Sequence, residues 1–200
     1  ITLINLTTTV VQNDNAQTHD LDRHGSAAAN ETQWDKLVTG LRQAIDVAAE
    51  HGIRISLEIH GKYIHDTAQS TLRVIERVGR DTLGITLDPG NMVLLSREMP
   101  VEDAVDVIGE RMFHIHLKNV QLFKRSPAYR VCLLEEGDVH IPRLLELLFK
   151  RGYRGDFTIE STLRGDRYWA LKRDAAYIRL VHGRIERIVT KLVKPGNITQ

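Results

Sequence analysis

The chain has 200 residues, 42% hydrophobic and 26% charged, which is enough for one domain with a core of its own. Its formal net charge of +1 provides no strong field to recruit nucleic acid or an anionic membrane. The single cysteine, Cys132, excludes an internal disulfide and a cysteine-based zinc finger, and fits a reducing cytoplasm. No apolar run approaches the about 20 residues that a membrane span needs. The start at Ile1 is read as a missing N-terminal portion rather than a secretory leader. Three Asn-x-Thr triplets, at Asn5, Asn30 and Asn197, are of a kind that arises readily by chance.

Ile1 to Thr8 is short and β-branched and reads as a strand. Val11 to Thr32 is polar and aperiodic, too long for a plain connection. It is expected to be a mobile lid, with its His19 and His24 away from any ligand. From Glu31 to His51, Trp34, Leu37, Val38, Leu41, Ile45 and Ala48 recur at helical spacing, and Gly52 ends the helix. Ile53 to His60 then alternates, with Ser56, Glu58 and His60 on the face opposite the isoleucines and Leu57.

Thr67 to Val78 is a second amphipathic helix, followed by Gly79. Leu83 to Asp88 is the next strand, stopped by Pro89-Gly90. A helix begins at Pro100 and runs through Ile108. Met112 to Asn119 alternates again, Phe113, Ile115 and Leu117 against His114, His116 and Lys118. Gln121 to Asp138 reads as a second long connection, carrying Lys124, Arg125 and Arg130. Ile141 to Arg151 is helical, Asp156 to Glu160 is a strand, and a last helix spans about Asp166 to Leu192. The domain is taken as 1–192 with a tail over 193–200. Trp34 and Trp169 fall on helical stripes and are assigned to the core, and nothing near Cys132 would activate it.

Regular alternation of strand and helix implies a parallel sheet with helices outside it, either an open doubly wound sheet or part of an eight-fold barrel. No GxGxxG or GxxxxGK[ST] follows a strand, which removes the best support for a nucleotide-binding open sheet. Glu58, Asp88, His116 and Glu160 close four strands with a common parity, so in a barrel they share one mouth. Three carboxylates converging without a counter-charge repel, and a divalent cation that accepts oxygen and imidazole ligands relieves them.

Leu57-Glu58-Ile59-His60, Gly84 to Asn91, His114 to Asn119, Glu136-Gly137-Asp138-Val139 and Gly152 to Glu160 together resemble the xylose isomerase-like TIM-barrel superfamily, over residues 31–182. The resemblance implies an α/β fold, a (β/α)8 barrel of which this chain supplies about strands four to eight. It implies one divalent ion (Mn²⁺, Mg²⁺, Co²⁺ or Zn²⁺) on Glu58, Asp88, His116 and Glu160. It implies that Glu58 and Glu160 act as an acid/base pair for isomerising or epimerising a small sugar, sugar phosphate or polyol. Lys118 and His60 would assist as proton or hydrogen-bond donors, with His114 and Arg130 as substrate contacts.

A dehydratase of the same superfamily, a non-catalytic metal-binding barrel and an endonuclease IV-type nuclease are the alternatives, the last opposed by the charge balance. His140, Asn119 and Ser161 stand where many relatives carry an acid, an aspartate and a proline. A homo-oligomer or a partner chain is expected to complete the barrel, because an open parallel sheet exposes unpaired edges.

Overall fold

The computed structural model describes residues 1–123, 126, 128–160 and 163–193, with side chains through Arg187. Lys124, Arg125 and Ser161, singled out above, and the tail from residue 194 lie outside the described residues. Five parallel strands form a curled sheet, half a barrel, in the order β1 (Leu3–Leu6), β2 (Arg54–Glu58), β3 (Leu83–Leu87), β4 (Met112–Leu117) and β7 (Phe157–Ile159). Between β4 and β7 the antiparallel hairpin β5 (Asn119–Leu122) and β6 (Tyr129–Cys132) is inserted.

The helices are α1 (Glu31–Glu50), α2 (Ala68–Val78), a single turn α3 (Pro89–Met92), α4 (Val101–Ile108), α5 (Ile141–Lys150) and α6 (Arg167–Val193). The long ones start where the sequence satisfies their free N–H groups. Asn30 caps α1 in a reciprocal box with Gln33, and Thr67 caps α2 in the same way with Ser70. Gly79 closes α2 in the left-handed conformation that glycine adopts without strain.

The core lies between the helices and the convex face of the sheet. Ile55, Leu57, Leu83, Ile85, Leu87, Ile115 and Leu117 are buried against Ile45, Val74, Val78, Val105, Ile108 and Leu148. Each such side chain contributes about 1.5–3 kcal/mol when fully withdrawn from water. The concave face is polar. There Thr86 Oγ1 donates to Ser56 Oγ over 2.7 Å, and His114 Nε2 lies 2.8 Å from Thr158 Oγ1. The hydrophobic ledger is thus written on one side of the sheet, leaving the other for chemistry.

Four expectations change. First, β4 does not alternate strictly. The β3–β4 register shifts between Ile85 and Thr86, a bulge that places Met112 in the core and turns Phe113 to the concave floor. Phe113 there occupies the space over Gly84, where an added Cβ would stand 2.3 Å from the ring, and stacks beneath the Arg54 guanidinium at 4.6 Å. Second, the 121–138 stretch is the β5–β6 hairpin and its return, rather than one long connection. Its alternation of Val120, Leu122, Tyr129 and Val131 is short and broken by charges.

Third, the 11–32 stretch packs down. His24 is buried, accepting from the Asn13 N–H at Nδ1 and donating from Nε2 to Gln17 O. Ser26 N–H donates to Asp66 Oδ2, which also pairs with Arg97. Gly25, at φ 60°, is needed where a Cβ would meet that carboxylate at 1.9 Å. Fourth, Trp34 is in the core, whereas Trp169 is 59% exposed. Trp169 and Tyr168 form a surface cluster under Lys172 Nζ, 5.1 and 5.0 Å from their rings.

Candidate metal centre

The ends of β2, β3, β4 and β7 bring Glu58, Asp88, His116 and Glu160 together, with one ligating atom of each within 4.8 Å of every other. His116 Nδ1 lies 3.4 Å from Glu58 Oε2, 4.0 Å from Asp88 Oδ2 and 3.2 Å from Glu160 Oε2. Ligands about 2.1 Å from a common cation stand about 3.0–3.4 Å apart in octahedral or tetrahedral geometry. His116 Nδ1 and Glu160 Oε2, though 3.2 Å apart, are off the line that a hydrogen bond requires, and both are buried without a hydrogen-bond partner. Buried polar atoms are rarely left so, and a cation between them satisfies both. The donor set, one imidazole and three carboxylates, fits a divalent ion of the Mn²⁺, Mg²⁺, Co²⁺ or Zn²⁺ kind.

Neighbouring side chains orient these donors. Asp88 caps α3, its Oδ1 accepting from Asn91 N–H over 2.9 Å and its Oδ2 turned toward the cluster. The Asn91 amide donates to Asp88 Oδ2 at 2.8 Å, Glu58 Oε1 at 3.1 Å and Ile59 O at 3.1 Å. Asn5, on β1, donates to Glu58 Oε2 over 3.0 Å. Lys118 Nζ reaches Asn91 Oδ1 at 2.9 Å, Glu160 Oε1 at 3.1 Å and Asp88 Oδ2 at 3.4 Å. Outer partners of this kind hold ligands in position and tune their basicity.

Charge follows from this geometry. Burial pushes the Asp88 carboxyl up, a rise that Lys118 and the Asn91 N–H reduce. Contact with His116 holds Glu160 well below the usual carboxylate range, against burial, with Lys118 adding to the effect. Burial opposes the charged form of Glu58, yet its contact with His116 keeps it below its ordinary value. Burial draws His116 down, but Glu160 and Glu58 outweigh it and the ring is pushed up to about 9. Lys118 behaves alike: burial lowers it, Asp88 and Glu160 raise it further, and it stays an ammonium. The bare centre is therefore a carboxylate cluster neutralised by imidazolium and ammonium, in which a divalent cation replaces a proton.

The other residues named from sequence lie at graded distances. His114 is one step deeper in β4, edge to face with His116 at 5.4 Å and against Thr158. His60 donates from Nδ1 to Gly61 O and lines a cavity of about 480 Å³ that Asn91 and Lys118 also line. Arg130 stands apart from that cavity. Its strand neighbours Tyr129 and Val131 line it, whereas Arg130 Nε donates to Gln121 Oε1 on the partner strand.

Asn5, Asn91 and His65 had no sequence assignment. His65 is fully buried, donating from Nδ1 to Glu58 O at 2.6 Å and accepting at Nε2 from Thr8 Oγ1 at 3.0 Å. A signal existed only for Asn91, three residues after Asp88 where a strand passes into a turn.

With this geometry established, the comparison with known families is decisive. The profile of the xylose isomerase-like TIM barrel family matches residues 5–181. The chain belongs to that family. An inosose dehydratase of Geobacillus thermodenitrificans is 25% identical over 147 residues, 66% of this chain and 48% of that protein. An inosose isomerase of Halalkalibacterium halodurans is 22% identical over 132 residues, 62% of this chain and 44% of that one. Among solved structures, a xylose isomerase-like TIM barrel protein from Mycobacterium smegmatis in complex with magnesium aligns with TM-score 0.70 and 23% identity. That alignment covers 92% of this chain and 62% of that one, and it shows likeness of fold. The chain spans about half the length of the curated relatives it matches.

Proposed function

We propose that this chain carries the catalytic centre of a divalent-metal-dependent isomerase or epimerase acting on a small sugar or polyol. The observation that carries the reading is the convergence of Glu58, Asp88, His116 and Glu160, with two of their buried ligating atoms unpartnered. A divalent ion held by Glu58, Asp88, His116 and Glu160 would supply Lewis acidity toward a carbonyl of the substrate. Magnesium in the M. smegmatis relative supports a hard divalent cation.

Glu58 and Glu160 are the acid/base pair. One removes a proton beside the carbonyl and the other returns it to the neighbouring carbon or the opposite face. Asn91 and Asn5 hold Glu58 in place, and Lys118 holds Glu160. Lys118 also donates a hydrogen bond to the substrate oxygen that gains negative charge, and His60 serves a hydroxyl from the cavity wall.

The inosose isomerase agrees by its name with this reading, whereas the names of the inosose dehydratases support a second, in which the substrate is a cyclic polyol ketone that loses water. It shares the first step. The second carboxyl then protonates a departing hydroxyl instead of a carbon.

Neither β1 nor β7 is paired on its outer edge among the described residues. A second copy or a partner segment covering these edges would complete the mouth, and the mass of the particle in solution tests this.

The function is tested by metal analysis together with deuterium exchange from heavy water into an inosose, followed by NMR. Wild-type protein should bind about one ion per chain and exchange the proton beside the carbonyl. Glu160→Gln should weaken binding and abolish exchange. A folded wild-type protein that binds no divalent ion would refute the enzyme reading.

A further inference from the structure

Resting on that reading, we infer that the substrate carries an anionic group, a carboxylate or a phosphate, and that Lys62 seats it opposite the metal centre. The cavity of about 480 Å³ is continuous with the centre through Asn91 and Lys118. Among the described residues, two lysines, Lys62 and Lys118, and two histidines, His19 and His60, line it, and no aspartate or glutamate does. Of the two ammonium groups, only Lys62 lies on the side away from the carboxylate cluster.

Lys118 is already committed to Asp88 and Glu160. Among the described residues, Lys62 forms no ion pair, whereas Asp22 and Asp66 are paired with Arg97. The adjoining outer recess contains Asp20 and Asp22, of which Asp22 is held by Ser96 at 2.6 Å; neither lines the cavity itself. A neutral polyol in the cavity would leave Lys62 without a partner, whereas an anion would give it a charge-assisted bond.

The backbone at this point supports a positioned side chain. Lys62 has φ 73°, and no other non-glycine residue among those described has a positive φ. It is the third residue of a turn in which Tyr63 N–H donates to His60 O over 3.4 Å, a place where glycine would be unstrained. Its carbonyl is held by Val11 N–H at 2.8 Å. The rim is set before a ligand arrives, which lowers the entropic cost of engaging the anion. One end of the substrate then offers oxygens to the metal centre and the other an acid to Lys62.

Calorimetric titration of the manganese-loaded protein with D-gluconate, D-glucitol 6-phosphate and D-glucitol tests this on one carbon chain. Manganese binding, measured first, separates the two readings: no ion bound refutes the enzyme, while an ion bound without charge preference refutes only the anion seat. The expected result is at least about tenfold tighter binding of one anion than of D-glucitol. Which anion binds distinguishes carboxylate from phosphate.

Lys62→Gly, which suits the positive φ, should erase that preference, and Lys62→Arg should keep most of it. A preference that survives in Lys62→Gly would show the acid on the metal instead, and overturn the inference. Equal binding of all three ligands, or of none, would also overturn it.

Discussion

The Asn91 amide donates to Glu58 Oε1 across 3.1 Å, linking the turn after β3 to a carboxylate of the candidate centre at the end of β2. Asn91 Nδ2 also donates to Asp88 Oδ2, and Asn91 Oδ1 accepts from Lys118 Nζ, so one residue orients two acids and an ammonium. Asn91→Leu keeps the branched shape and removes all of these bonds. It should weaken manganese affinity by about 10–100-fold while the fold persists. Calorimetry beside circular dichroism checks both halves, and unchanged affinity would remove Asn91 from the centre.

His65 should make stability fall on mild acidification. Burial, only partly offset by the Glu58 carbonyl, pulls its folded value from 6.5 to about 4. Between those values the unfolded chain binds a proton that the folded one excludes, so unfolding free energy rises with pH across this window. The slope from this residue is at most about 1.4 kcal/mol per pH unit. His65→Asn retains a donor toward Glu58 O and does not titrate there. Urea denaturation from pH 4 to 7 should therefore give the variant a flatter profile than the wild type.

Arg97→Met should strip the counter-charge from Asp66, whose side chain is fully buried. Breaking a buried pair from one side costs about 3–5 kcal/mol, and it should also loosen residues 11–32, where Ser26 Oγ and His24 O accept from the same guanidinium. Limited proteolysis should cut that segment faster in the variant. An unaltered cleavage rate would mean that the segment is held by its other contacts, those of the His24 ring among them.

Gly84→Val should overpack the floor. The Phe113 ring fills the space a side chain would need, and the bulge in β4 gives it nowhere else to turn. The expected cost is about 1–3 kcal/mol in urea denaturation. Phe113→Ala in the same background should restore part of the loss if the clash is the cause.

Residues 11–32 are pinned by contacts rather than loose, and His19 lines the cavity, for reasons a local reading does not reach. His24, Gly25 and Ser26 look like ordinary polar loop residues, and their partners Asp66 and Arg97 lie 40 and 71 positions away from Ser26. Nothing in a local window distinguishes a loop that is pinned by a buried carboxylate from one that is free. Trp169 failed the other way, because helical spacing says which residues share a face but not whether anything covers it.

From sequence alone, the alternation of short β-branched runs with amphipathic helices determined a parallel sheet flanked by helices. Strand parity determined that Glu58, Asp88, His116 and Glu160 close neighbouring strands on one side. Both follow from local periodicity, two residues per repeat in a strand and 3.6 in a helix, which every segment displays without reference to the rest. Only the tertiary structure decided which groups hold those four in place. Asn5, His65 and Asn91 act across 53, 7 and 33 positions, through hydrogen bonds that depend on strand register and on where the chain turns. The bulge that carries Phe113 inward and the hairpin that turns Arg130 away from the cavity arise from pairing between strands. A period read along one strand cannot carry that information.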